Sequence, residues 1–402
     1  MSDLPTINVI RAFAISSESM ESEELCYPNL AEAANNARLI LSQQNLISAD
    51  NAFDALGRLL SQEQILKARL ILKAEELIAE SSQAKQRTLA VEFTGLSSEI
   101  YGTPVKNLAI DLLDQMVPRS MSNVFKSLKD YFYTEYGSLF HSIETEIRDK
   151  QVIDVFGLAD IFNLALSWLR SHEDGWDSWR IVLEKNRAII SVNASKRDII
   201  IGYQRPSIAV EDVLPLVAHE ILIHARRSVM GFQNHAILGE TMPGAVAAEE
   251  GLGICAEYAI SGKLPQKIID RYTDIALAMG YLDGRQRTRK ELFNIVYTRE
   301  LARLGSVGDH REVKKRAFVH VNRIYRGTQG SQAPGFFTKD IAYYDGFVKI
   351  SKYIHERLQQ GSRLPEIMQY LMLGKFDPMN SIHVDFVSQY ASDATGSVRS
   401  YD

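Results

Sequence analysis

The 402-residue sequence predicts a predominantly α-helical α+β protein. Apolar residues recur at helical spacing through most of the chain, and β-branched runs of strand length are confined to one short stretch after Trp179. A composition of 46% hydrophobic and 24% charged residues supplies enough apolar surface for a substantial folded core, which excludes a disordered chain.

Residues 1 to about 28 carry no sustained period. The polar, acidic run from Ser16 to Glu24 interrupts them ahead of Pro28, and a loose arm is expected. Helical spacing begins at Leu30 and runs to about Gln44. It resumes from about Phe53 to Ser81, with Ile65, Leu66, Leu70, Leu72, Leu77 and Ile78 among good helix formers. The turn Tyr101-Gly102-Thr103-Pro104 precedes a further helix from Val105 to about Met116. These stretches predict an N-terminal helical subdomain, residues 1–130, with residues 131–402 forming a second domain. From Trp179 the pattern changes to Arg180–Leu183, Ala188–Val192 and Asp198–Ile201, separated by turn residues at Asn186 and from Asn193 to Lys196. That is the signature of a small antiparallel sheet, whose edge could pair with an extended peptide. Helices return over Gln266–Met279 and Glu291–Leu304, and a polar tail is expected from Ser392.

Directly after the predicted sheet comes Leu216-Val217-Ala218-His219-Glu220-Ile221-Leu222-Ile223-His224, two imidazoles and a carboxylate on an otherwise apolar segment. Isolated charge there would be costly without a partner, and a metal supplies one. A hydrolytic zinc site takes three protein ligands and leaves a fourth position to water. The two histidines lie five apart rather than four. On a regular α-helix a step of five rotates by roughly 500°, leaving the rings about 140° apart. A π-turn between His219 and His224 is therefore predicted. The third ligand is sought in Ala248-Glu249-Glu250-Gly251-Leu252-Gly253, where one of the two glutamates faces the histidine helix. Glu250, directly before the glycine, is favoured, as in the similar N-E-G-F-A segment of thermolysin-like aminopeptidases. Glu249 is then a supporting carboxylate. His235 and Glu240, between the two segments, are weaker candidates.

These segments, with Phe337-Thr338-Lys339-Asp340-x-x-Tyr343-x-x-Gly346, resemble the tyrosine/phenylalanine carboxypeptidase family. That family includes microtubule-associated tyrosine carboxypeptidases and bacterial QEGLA-motif proteins. Ser98-Glu-Ile-Tyr101-Gly-Thr-Pro104, the His224-x-x-Arg227 extension and Arg323-x-x-Arg326-Gly327 extend the resemblance over roughly residues 90–350. The chain departs from it with Gly253 where Ala is usual, Glu249 where bacterial relatives often carry Gln, and Ile223 where a small polar residue is common. The resemblance implies a gluzincin-like metallopeptidase with Zn2+ held by His219, His224 and Glu250, and with Glu220 as general base. Tyr343 and Lys339 are the candidates to stabilise the oxyanion, and Arg323, Arg326 and Arg227 those to hold a terminal carboxylate. It further implies release of a C-terminal aromatic residue, Tyr or Phe, from a peptide or protein. An aminopeptidase or endopeptidase with the same centre, or a regulatory protein with a structural metal, are the alternatives.

A net charge of −5 argues against a chain whose main partner is nucleic acid. Two cysteines, Cys26 and Cys255, give no disulfide framework. With no signal-peptide pattern and no long apolar run, neither secretion nor a membrane partner is expected, and a cytoplasmic location fits.

Overall fold

The computed structural model describes residues 7–16, 21–22, 25–42, 52–113, 121–185, 187, 189–304, 309–330 and 334–391. Helices dominate and two small sheets complete the secondary structure. The chain parts into two compact units, residues 1–117 with 266–342, and 118–265 with 343–402. Sequence reading placed one boundary at residue 130, whereas the first unit is built from two separated stretches of chain.

The first unit opens with α1 (Val9–Ala12), whose first turn is capped by the Asn8 side chain accepting from the Arg11 N–H at 2.9 Å. The long helices α2 (Leu30–Ser42), α3 (Ala52–Ala79) and α4 (Gln83–Tyr101) follow, then α5 (Lys106–Leu113). The described part of the expected loose arm is packed. Ile7, Val9, Phe13, Leu25 and Tyr27 are buried, and the Tyr27 hydroxyl donates to the Thr328 carbonyl at 2.6 Å. Scattered apolar residues that plug a core need no period of their own, so periodicity does not reveal them. Phe337 meets Phe13 and Tyr101 edge to face, with Tyr101 and Phe337 centroids 5.3 Å apart. Gly102, at φ 99°, closes α4, so the Tyr101-Gly102 turn is a helix stop with an aromatic anchor.

The second unit begins with α6 (Ser122–Ile147), the short strand β1 (Val152–Ile153) and α7 (Val155–His172). Strands β2 (Arg180–Glu184), β3 (Ile190–Asn193) and β4 (Asp198–Gly202) form one sheet in the order β2-β4-β3, and β5 (Ile208–Ala209) pairs with β1. The three strands lie where the sequence placed them, although residues 186 and 188 fall outside the described residues. The sheet is mixed, not antiparallel throughout: β3–β4 is antiparallel, whereas β2–β4 is parallel. Every residue of β4 is buried, and a strand apolar on both faces belongs in the centre, which separates β2 from β3. After β5, α8 (Val213–Val217) runs without a break into a π-helix, Ala218–Ala225, and on into α9 (Arg226–Asn234). The short α10 (Ala236–Gly239) and α11 (Val246–Ser261) follow. The chain then returns to the first unit for α12 (Gln266–Ala278), α13 (Arg289–Leu304) and α14 (His310–Ile324). From its third residue, α15 (Ile341–Gln359) belongs again to the second unit, as do α16 (Leu364–Leu371) and α17 (Ser381–Ala391). Among the described residues no helix is long and apolar enough to cross a membrane. The predicted tail from Ser392 lies outside the described residues.

Helix α11 positions the site. It packs against the π-helix, α6 and α8, and ten of its sixteen residues are buried, as expected of a helix apolar around its circumference. Its glycines set the distances. A Cβ on Gly251 would stand 2.1 Å from the Gly346 carbonyl carbon, and one on Gly346 would stand 1.8 Å from the Ala247 oxygen. Helices α11 and α15 therefore cross backbone to backbone at a contact only glycine permits.

Candidate metal centre

The five-residue spacing is resolved by the π-helix. In an i→i+5 ladder, positions five apart stack over one another, so His219 and His224 leave the helix on the same side. Their Nε2 atoms are 2.9 Å apart, and both side chains are buried. Glu220 projects beside them, half-buried, and takes no hydrogen bond or ion pair from the described residues. His219 lies against Gly253 of α11. A Cβ there would come within 2.7 Å of the ring, so glycine makes room for the imidazole.

Three carboxylates of α11 surround the pair. Glu250 Oε2 is 3.6 Å from His224 Nε2 and 3.8 Å from His219 Nε2. Glu249 turns to the back of His224, where its Oε1 lies 2.7 Å from Nδ1. Glu257, two helical turns beyond Glu250, places Oε1 2.8 Å from His219 Nδ1, a charge-pairing distance without hydrogen-bond alignment. Each imidazole thus has a carboxylate near Nδ1 and presents Nε2 to the shared centre; at His224 the hydrogen bond to Glu249 is the arrangement that fixes ring orientation in histidine metal sites. Glu249 is anchored in turn by the Arg227 guanidinium and by Lys375 Nζ at 3.3 Å.

Burial alone would lower the His219 pKa, but Glu257, Glu250 and Glu220 outweigh it and raise the ring to about 10. Burial likewise opposes protonation of His224, while Glu249 and Glu250 raise it. Burial would raise the Glu249 pKa, yet Lys375, Arg227 and His224 hold that carboxyl well below its usual range. The centre attracts cations, protons included.

The donor set fits zinc. Ligands about 2.0–2.1 Å from a tetrahedral zinc ion sit roughly 3.3–3.4 Å from one another, and the three separations of 2.9, 3.6 and 3.8 Å bracket that value. His219, His224 and Glu250 are the one such group of His, Cys, Asp or Glu among the described residues.

Other candidates fall elsewhere. Arg227, a candidate for a substrate carboxylate, is 1% exposed. Its guanidinium binds Glu249 and donates to the Leu371 and Phe376 carbonyls, each at 2.9 Å. It braces the centre from behind, because an arginine beside a buried glutamate is drawn inward to neutralise it. Tyr343, half-buried on α15, stands one turn ahead of the Gly346 crossing. Lys339, Arg323 and Arg326 belong to the first unit. There Arg323 makes two 2.6 Å hydrogen bonds to Asp340, and burial with Arg323 and Arg271 nearby lowers the Arg326 pKa to about 10. His235 caps α10 through Nδ1, which accepts from the Ile237 N–H, and Glu240 is exposed; neither joins the cluster. Glu257 and Lys375 were not anticipated. The seven-residue step from Glu250 to Glu257, two turns along one helix face, was a readable signal for the first.

No curated protein matches the chain. The family model described as microtubule-associated tyrosine carboxypeptidase matches residues 177–389, from the start of the three-stranded sheet into α17. The match takes in both histidines and all three α11 carboxylates. The Ser98–Pro104 segment lies outside it. The match covers more than half of the sequence, and the chain belongs to the microtubule-associated tyrosine carboxypeptidase family.

Proposed function

We propose that the protein is a zinc-dependent metallocarboxypeptidase of gluzincin type that hydrolyses the C-terminal residue of a peptide or protein. The preference for an aromatic residue rests on the family resemblance. One observation carries the reading: two histidines and Glu250 converge on a common point, with the uncommitted Glu220 beside them. A structural zinc is closed by four protein ligands, whereas a catalytic one keeps a position for water. Three donors flanked by a free carboxylate favour the enzyme over the structural-metal alternative.

His219, His224 and Glu250 would hold the ion. Bound there, zinc would acidify a water and polarise the scissile carbonyl. The Glu220 carboxylate takes a proton from the attacking water and returns it to the departing amine. Glu249 keeps the His224 Nε2 directed at the centre through its hydrogen bond to Nδ1, and Glu257 supplies a negative charge beside His219 Nδ1. Tyr343 is proposed to donate its hydroxyl hydrogen to the oxyanion. Lys339 is proposed for the oxyanion too, and Arg323 and Arg326 for contact with substrate; these three assignments rest on the resemblance alone.

Mass spectrometry of a peptide library varied at its last residue tests the reading, with zinc-loaded protein and its Glu220→Gln variant side by side. Loss of one C-terminal aromatic residue, dependent on Glu220, is expected. Trimming from the N-terminus or internal cleavage would keep the metal chemistry and discard carboxypeptidase specificity.

A further inference from the structure

A carboxypeptidase must bind a terminal carboxylate beside its reacting atoms. Arg226, Arg227 and Lys375 of the second unit are already matched, to Glu173, Glu249 and Glu249 respectively. Arg205 differs from all three. Its Nε is buried without a hydrogen-bond partner, and no carboxylate lies within ion-pair distance of its guanidinium among the described residues. A guanidinium left this way is costly, and such groups are retained where a ligand completes them.

The sheet that carries this arginine packs on the π-helix of the metal centre through β3. Glu220 and Glu257 are the two carboxylates whose charge reaches it, one the proposed base and the other the partner of His219. Its backbone is fixed. It follows the fully buried β4, and its N–H donates to the Gly202 carbonyl at 3.1 Å. The preceding Gln204 N–H donates to the Arg187 carbonyl at 2.8 Å, and β3 of the same sheet packs on the π-helix. A cation whose backbone is held by such hydrogen bonds, within reach of the Glu220 charge, loses less freedom when it binds.

We propose that Arg205 receives the substrate's terminal carboxylate and so sets the preference for a free C-terminus. This rests on the carboxypeptidase reading. A planar guanidinium with an unsatisfied Nε–H offers two parallel donors, which match a carboxylate and not a C-terminal amide. Burial lowers the Arg205 pKa, with Glu220 and Glu257 opposing the shift, so the cation gains most from an anion that enters its desolvated site.

The test is binding without turnover. Zinc-loaded Glu220→Gln protein is titrated, with fluorescence anisotropy as readout, with one labelled peptide ending in tyrosine as the free acid or as the amide. The acid is expected to bind roughly 30-fold more tightly than the amide. Adding Arg205→Gln should abolish that preference by weakening the acid alone and leaving the amide affinity in place. Arg205→Lys, which keeps the charge and the fold but not the fork, should retain a few-fold preference and serves if the glutamine variant does not fold. An unchanged acid preference in the Arg205 variants, or no preference in the starting protein, would overturn the proposal. Hydrolysis by the wild type reads out separately. An Arg205-dependent preference without hydrolysis would sink the enzymatic reading alone, and hydrolysis with a preference indifferent to Arg205 would sink this inference alone.

Discussion

Removing Glu249 and removing Glu250 should have opposite signatures, although the two residues are adjacent. Glu249 is 5% exposed and is the anion between His224 Nδ1, Arg227 and Lys375. Arg227 and Lys375 are themselves 1% and 5% exposed, so Glu249→Ala leaves two buried cations without their counter-charge. Breaking a buried pair in this way costs about 3–5 kcal/mol, a large share of the ~5–15 kcal/mol of a typical domain. It also frees the His224 ring, which should weaken zinc binding about 10–100-fold. Glu250 is half-buried, and its carboxylate faces the two Nε2 atoms. Glu250→Ala should cost less metal-free stability than Glu249→Ala and lose zinc binding far more severely, because a ligand itself is removed. Urea unfolding of the metal-free variants gives the first quantity, and competition with a fluorescent chelator gives the second. A Glu249→Ala variant with wild-type stability, or a Glu250→Ala variant that keeps its zinc, would refute the division between supporting carboxylate and ligand.

Because Glu257, Glu250 and Glu220 raise His219 to about 10, the metal-free ring carries a proton at neutral pH that zinc must displace. Zinc affinity should rise with pH up to about that value, and calorimetry in buffers of different ionisation enthalpy should show proton release; binding with no proton release would contradict the charge balance. In the first unit, burial would raise the Asp274 pKa, but hydrogen bonds from His320 and Arg299 hold it below its usual value. A depressed folded pKa contributes stability that is present above the unfolded value of about 3.9 and is lost as pH falls through the folded value. Urea midpoints should therefore fall below about pH 4, and Asp274→Asn should cost about 3 kcal/mol at pH 7 while flattening that acid limb. An equally steep limb in the variant would place the linkage elsewhere. Gly253→Ala would put a methyl within 2.7 Å of the buried His219 ring and should weaken zinc binding about tenfold through ring displacement, at a metal-free cost of about 1–3 kcal/mol. Unchanged affinity would mean that the ring yields freely.

What the sequence disclosed and what it hid divide along physical lines. Helices beginning at Leu30 and Gln266, and strands over 180–184 and 198–202, were legible because their signals are local periodicities. The π-helix was legible for a different reason: His219 and His224, five apart, cannot converge on an ordinary α-helix, so the chemistry dictated the backbone. The position of β4 between β2 and β3 was not legible, since strand neighbours are chosen by tertiary burial. Nor was the service of Phe13 and Tyr27 as core plugs, or the pairing of Lys375 with Glu249 from a distant part of the chain. The expectation that Arg227 holds a substrate carboxylate could not draw on its orientation, because a sequence does not reveal which way a guanidinium turns, and this one turns to Glu249. The same blindness hid Arg205, which sits in a turn with no motif around it.

The most direct test of the central claim is the turnover of one peptide ending in tyrosine by wild-type and Glu220→Gln proteins brought to equal zinc occupancy. The account predicts release of a single C-terminal residue by the wild type and a rate lower by about 10²–10⁴-fold in the variant, which still binds zinc. Equal rates in the two proteins, or no release by fully loaded wild type, would contradict it.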